Sequence, residues 1–274
     1  MTPAQTGGPP YDARIRRAER LNTVYPFAAE FLNLYRSLAG FQRALFEEVA
    51  SSTKISDPSD AELRGDLDLT LLLPHFRGFL SLVEQNAPDA LAKSARQISV
   101  LPSDSWVSLL NAYWSQAGLQ DQHIGAFAQF FPRAFLQPHA ELLAAQTRKP
   151  PLVTTPRVCP LCGARPLLGV LRPEGDGGKR FLLCSFCYWE WDFRRILCPF
   201  CGEEQEGKLP VYVAEQFPHI RVETCDTCKF YLRTIDLTKD GNAVPLVDDL
   251  AAVPLSLWAH ERGYSRVQPN LLGS

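Results

Sequence analysis

Cys159-Pro-Leu-Cys162-Gly163 and Cys198-Pro-Phe-Cys201-Gly202 repeat one five-residue frame, and each is followed by a further pair, Cys184-Ser-Phe-Cys187 and Cys225-Asp-Thr-Cys228. The four C-x-x-C pairs use all eight cysteines of the chain. Arg180 and Arg221 stand four residues ahead of the later pair in each copy, so the region reads as an internal duplication. Between the second and third cysteine of each copy lie 21 and 23 residues, close to the spacing of two-knuckle metal sites. The natural pairing is first with second and third with fourth. An interleaved pairing, first with third and second with fourth, is the alternative.

The chemistry explains the frame. A C-x-x-C turn points two sulfurs at one ion about 2.3 Å away, and a glycine after the second cysteine lets the backbone take a positive φ and aim its amides at the sulfurs. Cys159, Cys162, Cys184, Cys187, Cys198, Cys201, Cys225 and Cys228 are the expected metal ligands. Four thiolates around a divalent ion leave a net charge of about −2, for which Arg157, Arg165, Arg194 and Lys229 are candidate counter-charges. Tetrahedral S4 ligation suits zinc or a single iron, and the spacings match neither common ferredoxin pattern for a [4Fe–4S] cluster. Such closed sites disfavour hydrolytic metal catalysis.

Outward from the cysteines, the chain divides in two. The 274 residues are 46% hydrophobic, 21% charged and 11% aromatic, a folded composition of two or three domains. A net charge of −2, with twelve basic and twelve acidic residues over 151–242, argues against nucleic acid as a partner. No stretch is long and apolar enough for membrane insertion, and neither a secretory start nor a twin-arginine signal at Arg16-Arg17 fits, so a cytoplasmic protein is expected. The residues before Cys159 carry helical periodicity. Phe31, Leu34, Leu38, Phe41 and Leu45 form one stripe of a helix from Phe27 to about Glu48. Further helices are expected over Ala13–Asn22 as a short charged helix, over Asp60–Asn86 with an interruption at Pro74, over Ala87–Ala95, from an N-cap at Ser103, and over Gln122–Gln146 with a bend or break at Pro132 and Pro138. Lys149–Pro156 reads as a linker, Tyr231–Asp236 as a strand, Lys239–Asn242 as a turn and Ala243–Arg262 as a final helix.

The expected fold is a multi-domain α+β chain. An N-terminal arm (1–25) and an all-α helical domain (26–150) precede two tandem metal modules of zinc-ribbon kind (154–196 and 197–240) and a C-terminal helix and tail (241–274). Between the modules, Tyr188-Trp-Glu-Trp-Asp-Phe-Arg-Arg195 reads as a linking strand with Trp189, Trp191 and Phe193 on one face. Its aromatics fit a core shared by the modules, and Glu190, Trp191 and Arg194 are the candidate contacts to a protein partner. His75, His123, His139, His219 and His260 belong to no metal motif, and no nucleophile elbow, P-loop or dinucleotide fingerprint is present, so a non-enzyme is expected. Asp248-Asp249 fits a helix cap.

The second half resembles the FdhE family of formate dehydrogenase accessory proteins. The resemblance rests on the four pairs in this order, on Glu190-Trp191, on Glu223-Thr-Cys225-Asp226-Thr-Cys228 followed by Tyr231-Leu232, on Asp248-Asp249-Leu250-Ala251 and on Gly263-Tyr264. In the first half it rests on Arg17-Ala-Glu-Arg20-Leu21 followed by Pro26-Phe27, and Ser256 departs from the acidic residue expected there. The resemblance implies rubredoxin-like modules, each holding one iron on four cysteines, with zinc as the alternative. It also implies a chaperone that binds the catalytic subunit of a respiratory formate dehydrogenase and assists its maturation. A rubredoxin-like electron carrier and a structural zinc-ribbon interaction module are the competing readings.

Overall fold

The computed structural model describes residues 11–52, 63–65, 67–115, 127, 129–147 and 155–273. The expected arm over residues 1–10, most of the linker, and the starts of the expected helices at Asp60 and Gln122 lie outside the described residues. The chain divides into two compact units, residues 1–20 with 33–148 and residues 21–32 with 149–274.

The first unit is helical, with α1 (Tyr11–Val24), α2 (Ala29–Ser52), α3 (Leu73–Asn86), α4 (Asp89–Ser99), α5 (Ser103–Trp114) and α6 (Phe130–Gln146). The short charged helix expected over Ala13–Asn22 is α1, a little longer at both ends. Arg14 of α1 clamps Glu141 of α6 with two hydrogen bonds of 3.0 and 2.9 Å, and Tyr11 donates to the same carboxylate. The core is aromatic: Phe76 meets Phe135 edge-on at 4.8 Å and Trp106 at 5.5 Å. Ser103 does not cap α5 through its side chain. Pro102 occupies the cap position, and its carbonyl accepts from Ser105 N.

Helix α6 is buried on nearly every side and runs unbroken through both prolines. Pro132 lies in the first turn, where a backbone N–H has no helical partner to lose. Pro138 deprives Ala134 O of its donor, but Gln42 Nε2 of α2 donates to that oxygen at 2.7 Å. The missing backbone bond is thus replaced from a neighbouring helix.

The second unit is built on a seven-stranded sheet: β1 (Pro166–Glu174), β2 (Gly177–Cys184), β3 (Glu190–Asp192), β4 (Val211–Val213), β5 (Ile220–Thr224), β6 (Phe230–Asp236) and β7 (Ser265–Arg266). The order is β3-β2-β1-β6-β5-β4, with β7 also on β6. The two cysteine modules follow one another along the chain as expected, and they share one sheet, because β1 and β6 pair in parallel at its centre. That pairing requires Gly169, since an added Cβ would overlap Thr234 Oγ1. The linking segment forms only three residues of strand, β3.

The expected C-terminal helix is two helices, α7 (Pro245–Ala251) and α8 (Val253–Glu261). They cover one sheet face, packing Leu246, Leu255 and Ala259 on Val170, Val222, Tyr231 and Ile235. Tyr25 joins this core against Phe217 at 4.9 Å. Asp249 of α7 is buried and sits 2.8 Å from Arg233 Nε, although that N–H is not aimed at it, and accepts from Arg266 Nη2 at 2.7 Å and Asn270 Nδ2 at 3.1 Å. Burial pushes the Asp249 carboxyl up, but the two guanidinium groups overcome this and hold it below the usual carboxylate value. The N-cap of α7 is Val244 rather than the expected aspartate pair, and Asp248, inside the first turn, accepts from Val244 N at 2.8 Å. Among the described residues, no helix is long and apolar enough to cross a membrane.

Candidate metal centres

Four turns of one design present the eight sulfurs. In the first turn of each copy, Cys159 N donates to Ala164 O and Gly163 N to Cys159 O, and the same bonds recur from Cys198 N to Glu203 O and from Gly202 N to Cys198 O. The second turns close with Cys184 N to Trp189 O and Cys225 N to Phe230 O, both at 2.9 Å. In all four, the residue after the second cysteine is left-handed: Gly163 (φ 71°), Tyr188 (54°), Gly202 (85°) and Lys229 (60°). The glycines were legible as such positions. Tyr188 and Lys229 were not, and they enter this region only because the turn demands it.

The sulfurs gather as two sets, Cys159, Cys162, Cys184 and Cys187, and Cys198, Cys201, Cys225 and Cys228. The interleaved pairing is excluded. Cys159 lies 3.6 Å from Cys187 and Cys162 3.4 Å from Cys184; Cys198 lies 3.7 Å from Cys228 and Cys201 3.7 Å from Cys225. A regular tetrahedron with metal–sulfur bonds of about 2.3 Å has edges of about 3.8 Å, so each set fits the ligand shell of one ion. Backbone amides contribute as expected: Phe186 N donates to Cys184 Sγ at 3.3 Å and Phe200 N to Cys198 Sγ at 3.4 Å.

The electrostatics of the first set also suit a cation. Hydrogen bonds from Cys159, Cys184 and Cys187 hold the Cys162 thiol far below the usual thiol range, while burial pushes Cys184 and Cys187 well above it. Burial likewise raises Cys228 in the second set. Four such sulfurs ionise together only around a positive charge, and binding then expels protons. Both clusters could hold metal ions, and the donor set fits zinc and single iron equally.

The sets differ in access. All four cysteines of the first are buried, whereas in the second Cys201 is exposed and Cys228 half-buried. Of the expected counter-charges, Arg157 reaches across to the second set and donates to Phe200 O at 2.8 Å, and Arg165 lies 5.0 Å over the Phe200 ring. Lys229 pairs with Asp226 and Arg194 with Glu204, both toward solvent.

The candidate partner contacts separate. Trp191 is 1% exposed and its indole donates to Pro156 O at 2.8 Å, so it belongs to the interior of the first module rather than to a surface. Glu190 is held by Arg172 through two bonds of 2.7 Å. Arg194 alone of the three is exposed. Sequence reasoning missed a third cluster, His219, Asp240 and Asp248. There His219 Nε2 meets Asp248 Oδ1 at 2.8 Å while Oδ2 takes the Val244 amide, so both Asp248 oxygens are satisfied and the group anchors α7 to the sheet.

Comparison with known proteins gives a consistent result. The family described as "FdhE, central domain" matches residues 158–195, and "FdhE, C-terminal domain" matches residues 196–272. The chain is 26% identical to the "Protein FdhE homolog" of Aquifex aeolicus (strain VF5) over 270 residues, 94% of each chain. It is 38% identical to that of Pseudomonas aeruginosa over 123 residues, 42% of this chain and 39% of the relative. A solved structure, "The crystal structure of the FdhE protein from Pseudomonas aeruginosa", superposes with a TM-score of 0.72 at 26% identity, covering 98% of both chains.

Proposed function

Because the chain belongs to the FdhE family, we propose that it is a cytoplasmic, non-enzymatic accessory protein that binds the catalytic subunit of a respiratory formate dehydrogenase and assists its maturation. In this reading the eight cysteines are ligands to two metal ions, one for each set of four, with iron implied by the family resemblance and zinc as the alternative. The observation that carries it is the pair of S4 clusters at tetrahedral spacing on one sheet. Metal at these clusters fixes the turns and so the surface that meets the client. Arg194 and the exposed rim around Cys201 lie on the described surface of that region, which makes them the first places to seek contact.

The test is co-purification of the tagged full chain with the catalytic subunit, combined with metal analysis and an absorption spectrum under anaerobic conditions. Capture of the subunit with two metal equivalents is expected, coloured if the metal is ferric iron. Absence of capture, together with unchanged formate dehydrogenase activity in a deletion strain, would overturn the chaperone reading. A metal content near zero would overturn the metal reading.

A further inference from the structure

The two clusters share a ligand set and a turn design, yet they meet solvent differently. Cys159, Cys162, Cys184 and Cys187 are all buried, and Phe186, also fully buried, lies between the cysteines of the second turn. In the other cluster Cys198 and Cys225 are buried but Cys201 is exposed and Cys228 half-buried. Cys198 and Cys225 also line a cavity of about 150 Å³ with Leu197, Pro199 and Arg180. The second cluster is thus open at its Cys201 edge and loosely backed on its inner side. Chemical access to a thiolate governs how fast it exchanges its partner, and a buried one must wait for local opening.

We propose that the two centres differ in kind: the first is a permanent staple, and the second is an exchange site that opens at Cys201 to thiol-bearing chelating ligands. This rests on the reading that each cluster holds a metal ion. In the exchange, Cys201 Sγ is the ligand that leaves. The incoming thiol gives up its proton as its sulfur takes the vacated coordination position, and Cys201 accepts a proton as its own bond breaks, so charge and protons balance with no oxidant or reductant. Cys198 and Cys225 hold the ion meanwhile, being buried and fixed at the ends of their turns. An exchange site of this kind lets the protein pass or acquire a soft metal, or join its metal to a partner's thiolate, without losing the fold maintained by the first centre.

The experiment uses the full chain loaded with two equivalents of zinc and mixed with excess dimercaptosuccinate, with released zinc read by a chromogenic indicator. One equivalent is expected to leave in a fast phase and the other at least roughly tenfold more slowly. Brief alkylation with N-ethylmaleimide during the fast phase, followed by peptide mapping, is expected to label Cys201 and Cys228 while sparing Cys159, Cys162, Cys184 and Cys187. Release of both equivalents in one phase, or first labelling of the buried cluster, overturns the inference while leaving the two-metal reading intact. Failure to load two equivalents overturns the two-metal reading and the inference with it. Cys201→His, which keeps a ligand but removes the exposed thiolate, is expected to slow the fast phase and leave the slow one unchanged.

Discussion

Arg180 Nη2 donates to Glu223 Oε2 at 2.5 Å, an ion pair that passes over β1 and β6 to join β2 to β5. The same guanidinium donates from Nη1 to Arg194 O at 2.8 Å and to Leu197 O at 3.3 Å. One side chain from the first cysteine copy therefore fixes both a strand of the second copy and the segment leading into Cys198. The duplicated arginines do unlike work, because Arg221 pairs with Asp236 at 2.5 Å within its own copy.

Glu223→Gln should consequently destabilise the second unit by about 3 kcal/mol, since it leaves the Arg180 charge buried without a counter-charge. Replacing both partners, Arg180→Met with Glu223→Leu, should cost less than the sum of the single changes. Urea unfolding of the metal-loaded protein measures both, and an additive double variant would show that the pair is not coupled.

Gln42 and Pro138 form a second test. Gln42→Leu leaves Ala134 O buried and unpaired, at a cost of about 2 kcal/mol. In a Pro138→Ala background the restored backbone N–H can serve that carbonyl, and the same Gln42→Leu change should then cost under about 1 kcal/mol. A cost unaffected by the background would mean that Gln42 acts through packing.

His139 sets a pH dependence in the first unit. It is buried against Trp114, and burial pushes its pKa down to about 4 against the pull of Asp68. The unfolded chain takes up a proton near pH 6.5 that the folded chain refuses until about pH 4. Stability therefore falls as pH drops through this window, by on the order of 3 kcal/mol in full. Comparing wild type with His139→Gln by urea unfolding at pH 7 and pH 4.5 isolates this contribution, and equal slopes would exclude it.

The residues that were legible are those whose chemistry is local. A C-x-x-C turn with its glycine is complete within five residues, so Cys159 to Gly163 and Cys198 to Gly202 announced their geometry. The stripe Leu34, Leu38 and Leu45 announced a buried helix face in the same way. What the sequence concealed depends on partners far along the chain. Pro138 reads as a break unless Gln42 is known to face Ala134. Trp191 reads first as core, with a partner contact as the alternative, and its bond to Pro156 O decides for core. The parallel pairing of β1 with β6, separated by an entire duplicated copy, has no local signature, which is why the two tandem modules were legible but the single sheet that joins them was not.

Lys229 carries a prediction that follows from the turn design. Its φ of 60° is the left-handed conformation that Gly163 and Gly202 adopt freely, and its ammonium pairs with Asp226 and lies 5.4 Å over the Tyr264 ring, near solvent. Lys229→Gly should raise the melting temperature of the metal-loaded protein by about 2 °C, because relief of backbone strain outweighs loss of an exposed ion pair. Gly202→Ala should lower it and reduce metal content at the second centre.

The last prediction concerns how far the loss of one centre spreads. Cys159→Ser removes a ligand from the first cluster only, so one metal equivalent should be lost while the ion held by Cys198, Cys201, Cys225 and Cys228 remains. If the modules were independent, unfolding would stop at the first hairpin. The structure argues otherwise, since Leu168 and Val170 of β1 and Leu183 of β2 are buried in the same core as Val222, Tyr231, Leu246 and Leu255. Cys184 ends β2, so freeing its turn loosens a strand that this core requires. Thermal unfolding of Cys159→Ser should thus shift the whole second unit downward in one transition, whereas Cys201→Ser, at the exposed rim, should lose its metal with a smaller shift. Two separate transitions in Cys159→Ser, one matching wild type, would show that the shared sheet does not couple the two halves.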